Sequence, residues 1–272
     1  MKLDHKVAMI TGAARALGRS HALTFAKEGA DLLLTDIGGG DGPYPLASRK
    51  QLEQTAAECR RHGSRVVTAV ADVRDQAAVD AAVEAGIEEF GQIDILVNNA
   101  GLLAPGGVHA HELTEEQWLL VIDVNLNGTW RCCRAVLPHM VRQRAGAIVN
   151  TSSTGGRVAF ELYASYVASK HAVLGLTKAL ALEYGRHGIR VNAVSPSTVA
   201  ASDDLGTEST VAVAAAMGAS LRDYENSSAS YHPIGRLVTA EEVSRACLWL
   251  ASDDSTGTTG TDLLIDGGFT AR

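Results

Sequence analysis

Seven short runs rich in β-branched residues and leucine recur along the chain, separated by stretches with helical periodicity. The runs cover residues 7–11, 31–36, 65–72, 93–101, 146–153, 189–196 and 262–268. They are apolar on both faces, which is typical of strands that are covered by helices on both sides of a parallel sheet. This β-α-β-α order predicts an α/β fold with a doubly wound, Rossmann-like parallel sheet of about seven strands and helices on both faces.

The chain is predicted to form one domain over residues 1–272. Its length suits a single large α/β domain, and neither a linker, a repeat nor a shift in composition divides it. Two long excursions, at 37–48 and 197–233, interrupt the regular alternation of strands and helices. Because ligands of such sheets bind beyond the carboxyl ends of the strands, both excursions are expected to border the site. The apolar stretch 211–221 is interpreted as a substrate lid or, alternatively, as a helix that packs on a neighbouring subunit.

Charge and cysteine content argue against several classes of partner. The net charge is −7 and the pI is near 5.7, so a basic surface for nucleic acid or anionic membrane is not expected. The sequence shows neither a signal-peptide pattern nor an apolar run long enough to span a membrane. The four cysteines, and the pair His109 and His111, lack the spacing of metal ligands. We expect a cytoplasmic protein that contains reduced thiols, acts on a small molecule and has no metal site.

The first strand runs into TGAARALG, residues 11–18, which opens a helix. Such a turn directs free backbone N–H groups and the positive helix end at a phosphate, although the spacing alone leaves a simple tight turn open. Asp36 ends the second strand, where a carboxylate can accept both ribose hydroxyls of an adenosine and repel a 2′-phosphate. Arg15 in the glycine loop points the other way, because its positive charge could pair with the 2′-phosphate of NADP. Because Asp36 sits at the ribose itself, NAD is predicted over NADP.

The stretch YASYVASKHAV, residues 163–173, places two phenols and an ammonium on one predicted helix. Tyr166 and Lys170 are i,i+4 neighbours on one face. A free phenol titrates near pH 10, and lowering its pKa by about three units needs roughly 4 kcal/mol. A nearby ammonium and the positive nicotinamide ring of NAD can supply this energy. Tyr163 is about 10 Å of helical rise from Lys170, too far for the same help. Only Tyr166 is therefore close enough for the ammonium to lower the pKa of its phenol, and Tyr163 is interpreted as a wall of the substrate pocket.

In their order along the chain, these motifs resemble the short-chain dehydrogenase/reductase family. The matching motifs are TGAARALG, Asp36, ADV (71–73), NNAG (98–101), VNLNG (124–128), NTSS (150–153), YVASK (166–170) and DGG (266–268). GRSHA after the glycine loop and PYPLAS after Asp36 look like the branch with carveol-dehydrogenase-like and mycofactocin-associated members. The resemblance implies an NAD(P)-dependent short-chain alcohol dehydrogenase or ketoreductase that interconverts a secondary alcohol and a ketone by hydride transfer.

The resemblance also implies a role for each matching position. Tyr166 would exchange a proton with the substrate oxygen, Ser153 would steady that oxygen, and Lys170 would hold the nicotinamide ribose. Asn125 would hold a water that links Lys170 to solvent. The implied catalytic set is Asn125, Ser153, Tyr166 and Lys170, and the substrate contacts are Ser153, Tyr163 and Tyr166. The implied cofactor contacts are Gly12, Arg15, Leu17, Gly18, Asp36, Ile37, Asp72, Val73, Asn99, Ala100, Gly101, Thr151, Tyr166, Lys170, Pro196 and Val199.

Two positions depart from the family pattern. Ala16 stands where the family usually has the middle glycine of the loop, and Ser197 stands where a glycine usually follows Pro196. These departures concern the geometry of the cofactor loops and leave the catalytic set intact. The resemblance further implies a homotetramer built on the helices near 114–144 and 163–185.

Other functions remain open at this point. If the mycofactocin-like resemblance holds, NAD stays bound and is re-oxidised by an external carrier. A non-catalytic NAD-binding scaffold or sensor would need no proton relay, so the set at Asn125, Ser153, Tyr166 and Lys170 argues against it. A Rossmann-like methyltransferase could use Asp36 for an adenosine ribose, but the YVASK motif would be unexplained.

Overall fold

A seven-stranded parallel sheet forms the centre of the molecule, in the order β3-β2-β1-β4-β5-β6-β7. The computed structural model describes residues 1–201 and 208–271. Ala8 of β1 pairs with Leu32 on one side and with Ile95 on the other, so the strand order reverses beside β1. Ligands of open α/β sheets bind at such a reversal. The strands are β1 (Val7–Thr11), β2 (Asp31–Asp36), β3 (Val66–Val70), β4 (Ile95–Asn98), β5 (Gly146–Thr151), β6 (Ile189–Pro196) and β7 (Asp262–Ile265).

Helices cover both faces of this sheet. They are α1 (Ala16–Lys27), α2 (Arg49–Arg61), α3 (Gln76–Phe90), α4 (Glu115–Ile122), α5 (Gly128–Gln143), α6 (Ala164–Tyr184), α7 (Glu208–Ala216), α8 (Leu221–Ser230) and α9 (Ala240–Ala251). Successive residues of β1 enter different cores: Ala8 and Ile10 pack with α1, α2 and α9, whereas Val7 and Met9 pack with α3, α5 and α6. Because both faces are buried, the strand is apolar throughout, as the sequence pattern predicts.

Local signals place the ends of several helices. Ser48 and Gln51 form a reciprocal capping box at the start of α2, which ends the long loop after β2. Asp75 accepts hydrogen bonds from the backbone N–H groups of Ala77 and Ala78 at the start of α3. Gly91 ends α3 in the left-handed region, with φ of 79°. These caps agree with the helix boundaries predicted from the sequence.

Two helices differ from the sequence prediction. The helix expected near 114–144 is divided by a π-helical turn, Asp123–Asn127, between α4 and α5. The helix expected from residue 163 begins at Ala164, and Tyr163 is its N-cap with φ of −128°. The excursion at 197–233 contains α7 and α8, and residues 202–207 within it lie outside the described residues.

Candidate active site

A large cavity opens beyond the carboxyl ends of β1, β2 and β4. Ten of the predicted cofactor residues line it: Gly12, Arg15, Leu17, Asp36, Ile37, Asp72, Val73, Asn99, Ala100 and Gly101. The cavity is also lined by residues that were not predicted cofactor contacts, namely Ala16, Asp41, Gly42, Pro43, Tyr44, Leu46, Ala47, Ala71, Arg74, Leu102, Leu120 and Val124. The remaining predicted contacts, at Gly18, Thr151, Tyr166, Lys170, Pro196 and Val199, are not among its lining residues.

The glycine loop brings backbone groups unusually close together. A Cβ atom on Gly18 would lie 1.9 Å from the carbonyl oxygen of Gly12, so only glycine fits this first turn of α1. Gly12 has φ of +64° and packs against the backbone of Ala100. A turn this tight lets a phosphate approach the backbone at the N-terminus of α1. Ala16 lies in the same loop with φ of 48°, a left-handed conformation that strains an alanine.

Asp36 lies buried at the end of β2 and is held by the backbone on both sides. One carboxylate oxygen accepts from the N–H of Ala14 at 2.9 Å, and the other accepts from the N–H of Ile37 at 2.8 Å. Burial raises the pKa of Asp36 above its ordinary value, and these hydrogen bonds oppose that rise. The carboxylate is therefore fixed at the mouth of the glycine loop, where its remaining lone pairs face the cavity.

The insertion after β2 closes over the cavity through contacts with the glycine loop. The guanidinium of Arg15 donates to the carbonyl oxygen of Pro45 at 2.8 Å and lies 5.9 Å from the ring centroid of Tyr44. Tyr44 is buried, and it lines the cavity together with Leu46. The Gly/Pro composition predicts a loop here, but contacts with Arg15 could not be read from it. The only indication of these contacts in the sequence is the aromatic residue within PYPLAS, Tyr44.

Lys170, Tyr166 and Ser153 meet where β5 runs into α6. The buried ammonium of Lys170 donates to the carbonyl oxygen of Thr151 at 2.7 Å and lies 5.7 Å from the ring centroid of Tyr166. Burial lowers the pKa of Lys170 to about 8. Burial also raises the pKa of Tyr166 to about 12, and a hydrogen bond with Ser153 works in the opposite direction. Within the chain itself, burial therefore outweighs the stabilisation of phenolate expected from the neighbouring charge.

Asn125 occupies the π-helical turn between α4 and α5, a type of distortion frequent at functional sites. Its side-chain amide donates to the carbonyl oxygen of Leu102 at 2.9 Å and to the hydroxyl of Ser169 at 3.0 Å. Its side-chain oxygen accepts from the N–H of Leu102 at 2.7 Å. These contacts join the loop after β4 to α6 one turn from Tyr166. Protein groups accept both amide hydrogens of Asn125, so a water bound at this residue must donate a hydrogen bond to one of its oxygens.

Tyr163 lies against the loop that follows β4. A Cβ atom on Gly106 would lie 2.2 Å from Cε1 of Tyr163, so the ring and this glycine are in direct contact. The ring is half-buried, and burial raises the pKa of its phenol. Tyr163 therefore borders the cleft from the N-cap of α6 rather than from the helix itself.

The other predicted contacts flank the same edge of the sheet. Thr151 ends β5, and its buried hydroxyl has no hydrogen-bond partner. Pro196 ends β6, and Val199 forms an isolated bridge with Val238. A buried hydroxyl without a partner is costly, which makes Thr151 suitable for a polar group bound beside Lys170.

Within residues 1–201 and 208–271, there is no cluster of three His, Cys, Asp or Glu side chains that could hold a metal ion. All four cysteines are buried free thiols, at Cys59, Cys132, Cys133 and Cys247. None of the helices in the described part of the chain is both long and apolar enough to cross a membrane.

Known proteins are similar to this chain over nearly its whole length. A family model described as enoyl-(acyl carrier protein) reductase matches residues 12–270. A (−)-trans-carveol dehydrogenase of Rhodococcus erythropolis is 34% identical over 100% of this chain and 99% of its own length. An NAD-dependent oxidoreductase of Mycobacterium tuberculosis strain H37Rv is 39% identical over 98% of this chain and 96% of its own.

The same likeness holds in three dimensions. The crystal structure of carveol dehydrogenase from Mycobacterium avium in complex with NAD superposes with a TM-score of 0.93 at 38% identity. The match covers 100% of this chain and 99% of that one, which confirms the Rossmann-like doubly wound sheet. The resemblance to carveol dehydrogenases is confirmed as well. The chain belongs to the short-chain dehydrogenase/reductase family.

Proposed function

We propose that this oxidoreductase interconverts a secondary alcohol and a ketone, with NAD as its cofactor. The observation that carries the proposal is the enclosed group of Ser153, Tyr166 and Lys170 beside the glycine-loop cavity. Relatives whose names state carveol dehydrogenase or NAD-dependent oxidoreductase activity support it. A binding scaffold has no use for a buried ammonium beside a half-buried phenol, because burying a charged group destabilises the fold.

The donor set of the cavity fits NAD. Gly12 and Gly18 allow the pyrophosphate to approach the backbone at the start of α1, and Asp36 presents a carboxylate to the adenosine ribose. Lys170 and the unpartnered hydroxyl of Thr151 would hold the nicotinamide ribose. Bound NAD supplies the hydride acceptor or donor at its nicotinamide ring. Asp36 would repel a 2′-phosphate, which supports NAD over NADP.

The side chains of the protein handle the proton and the position of the substrate. Ser153 hydrogen-bonds the Tyr166 phenol and is placed to steady the substrate oxygen beside it. Tyr166 takes the alcohol proton in oxidation and returns it in reduction. Lys170 lies next to the ring and, with its lowered pKa, can pass a proton between Tyr166 and the region of Asn125. Asn125 fixes the backbone at Leu102, which borders the same cavity.

Replacement of Tyr166 by Phe tests this mechanism. The variant keeps the ring and loses the hydroxyl, so kcat with a secondary alcohol should fall by about 10²- to 10⁴-fold, the usual contribution of a general acid/base. Secondary alcohols should be screened with NAD and with NADP by absorbance of the reduced nicotinamide, and NAD binding should be measured by calorimetry. NAD affinity within about twofold of wild type serves as the control for folding. Alcohol oxidation that survives in Tyr166→Phe would refute the proposed role.

A second candidate is an enzyme that keeps NAD bound through turnover and passes electrons to an external carrier. The closed insertion favours it, because Tyr44 and Pro45 are fastened to Arg15 over the glycine-loop cavity. Such an enzyme would retain NAD through gel filtration and would need an artificial electron acceptor for more than one turnover. Multiple turnovers with freely added NAD alone would exclude this candidate. We further propose a cytoplasmic homotetramer that acts on a small molecule.

A further inference from the structure

Beside Tyr166, four residues from three distant parts of the chain form a continuous aromatic and polar cluster. They are Phe160, Ser197, His232 and Phe269. None of them was among the predicted site residues, although Ser197 and His232 lie in the excursion at 197–233 that was expected to border the site.

Phe160 borders the reacting phenol. A Cβ atom on Gly155 would lie 3.0 Å from Cε2 of Phe160 and 3.2 Å from Cε1 of Tyr166. Both rings therefore lie next to Gly155, in the short turn after β5. Phe269 packs edge-on against Phe160, with 6.3 Å between the ring centroids. Both phenylalanines are half-buried, unlike Phe25, which is fully buried in the core. Each ring therefore retains some accessible apolar surface.

His232 connects this pair of rings to the end of β6. It is 4% exposed, and its ring lies 5.5 Å from that of Phe269. Its Nδ1 lies 2.8 Å from the carbonyl oxygen of Ser228, which can only accept, so Nδ1 carries a hydrogen. In the neutral ring, Nε2 then accepts from the hydroxyl of Ser197, at 2.7 Å. The imidazole therefore holds together α8, the residue after Pro196 and the C-terminal segment.

We propose that Phe160 and Phe269 form the wall of the substrate site that receives an apolar ring next to the carbinol carbon, and that His232 is the positioning residue of this wall. The proposal rests on the proposed alcohol oxidation at Tyr166. An alicyclic or aromatic substituent would pack on the exposed sides of the two rings, where edge and face contacts are favourable. A small aliphatic alcohol such as propan-2-ol cannot reach both rings.

Phe269→Ala tests the wall with two secondary alcohols, one that contains an apolar ring and one that is small and has no ring. In NAD-loaded protein, the variant should lower kcat/KM for cyclohexanol about three- to tenfold more than for propan-2-ol, the range of a lost aromatic contact. Phe160→Leu, which changes the shape less, should act in the same direction. Phe90→Ala is the matched control, because Phe90 lies beneath Arg65 at the end of α3, at the opposite edge of the sheet. It should leave the ratio between the two alcohols unchanged.

Equilibrium binding separates this proposal from the proposed function. Cyclohexanol binding to NAD-loaded protein, measured by ligand-detected NMR, should weaken in Phe269→Ala whether or not the alcohol is oxidised. If wild type oxidises neither alcohol but shows this binding difference, the proposed function fails and the wall stands. If wild type binds cyclohexanol no more tightly than propan-2-ol, or if both variants bind cyclohexanol as wild type does, the wall is refuted.

The two amide variants of His232 test its positioning role. His232→Asn can keep the donor to Ser228 but cannot reach Ser197, whereas His232→Gln can place an amide oxygen near the position of Nε2. The Asn variant should raise KM for cyclohexanol with kcat for propan-2-ol unchanged, and the Gln variant should restore KM. Ser197→Ala should raise KM to a similar extent and add nothing to His232→Asn in the double variant. Additive effects, or equal losses in the Asn and Gln variants, would show that His232 acts only in general packing.

Discussion

At the scale of single residues, burial decides the protonation of the candidate catalytic pair. Tyr166 and Lys170 are neighbours on one helix, and spacing alone suggests that the ammonium lowers the pKa of the phenol. In the folded chain, burial raises the pKa of Tyr166 to about 12 and lowers that of Lys170 to about 8. Both groups are therefore pushed toward their neutral forms, because removal from water disfavours either charge. Spacing identifies the pair, but only enclosure sets its electrostatics.

The charge of Asp36 should decide the choice between NAD and NADP. In Asp36→Asn the repulsion of a 2′-phosphate disappears and one backbone N–H loses its acceptor, so we expect the ratio of NADP to NAD affinity to rise at least about tenfold. Asp31→Asn removes a carboxylate from the other end of β2, where Asp31 pairs with Arg65, and is the matched control. Calorimetric titration with both nucleotides measures the ratio. An unchanged ratio would mean that Asp36 has no part in the selection.

Ala16 should be a point of stored backbone strain. Its φ of 48° is unfavourable for an alanine, so Ala16→Gly should raise the free energy of unfolding by about 1 kcal/mol. Ala22→Gly, at a buried position inside the same helix, should lower it by about as much, since glycine weakens a helix interior. Urea unfolding of the nucleotide-free protein distinguishes the two signs. Destabilisation by both substitutions would show that Ala16 is not strained.

At the scale of secondary-structure elements, a buried histidine lies in the contact between α1 and α9. His21 is fully buried, its Nδ1 lies 2.8 Å from the hydroxyl of Ser244, and its Nε2 has no partner. Burial lowers the pKa of His21 to about 4. The folded protein therefore holds His21 neutral, while the unfolded chain takes up a proton as the pH falls below about 6.5.

This histidine should make the protein acid-sensitive in a defined range. Because the unfolded state binds the extra proton, His21 should remove up to about 3 kcal/mol of stability between pH 6.5 and pH 4. His21→Asn keeps the contact with Ser244 and abolishes the titration. By urea unfolding, the variant should be less stable than wild type at pH 7, and the difference should shrink or reverse near pH 4.5. A difference that is constant across this range would contradict the prediction.

At the scale of the whole molecule, helices α4, α5 and α6 each expose a large apolar side chain. Leu182 of α6 is 87% exposed, Leu119 of α4 is 51% exposed and Trp130 of α5 is 45% exposed. Large apolar groups on one surface are typical of a contact between subunits. This surface supports the proposed homotetramer, although a single chain contains no partner contact.

A charge on this surface should disrupt the proposed assembly. Leu182→Glu should reduce the mass measured by light scattering to less than four chains, because an unpaired carboxylate is unfavourable in an apolar interface. Ala57→Glu adds the same carboxylate to an exposed position of α2 on the other face of the sheet and should leave the mass unchanged. A wild-type protein that is monomeric, or a Leu182→Glu protein that remains tetrameric, would contradict the prediction.

The sequence by itself determined the seven strands, the helices between them and the order of the motifs. These features depend on periodicity and capping over a few residues, so they can be read without knowledge of the path of the chain. Tyr166 and Lys170 could be paired for the same reason, since they share one helix, whereas Ser153 and Asn125 were proposed from the family resemblance. The π-helical turn at Asn125 was missed, because its residues continue the helical pattern on both sides.

Only the tertiary structure decided which distant residues meet at the cleft. The insertion at 37–48 closes on Arg15, and Phe269 contacts both Phe160 and His232, which lie 109 and 37 residues away in the sequence. The pKa values of Tyr166 and Lys170 likewise depend on how completely the surrounding loops exclude water. Contacts and burial of this kind arise when the strands assemble and their loops converge at one edge of the sheet, and no local pattern encodes that convergence.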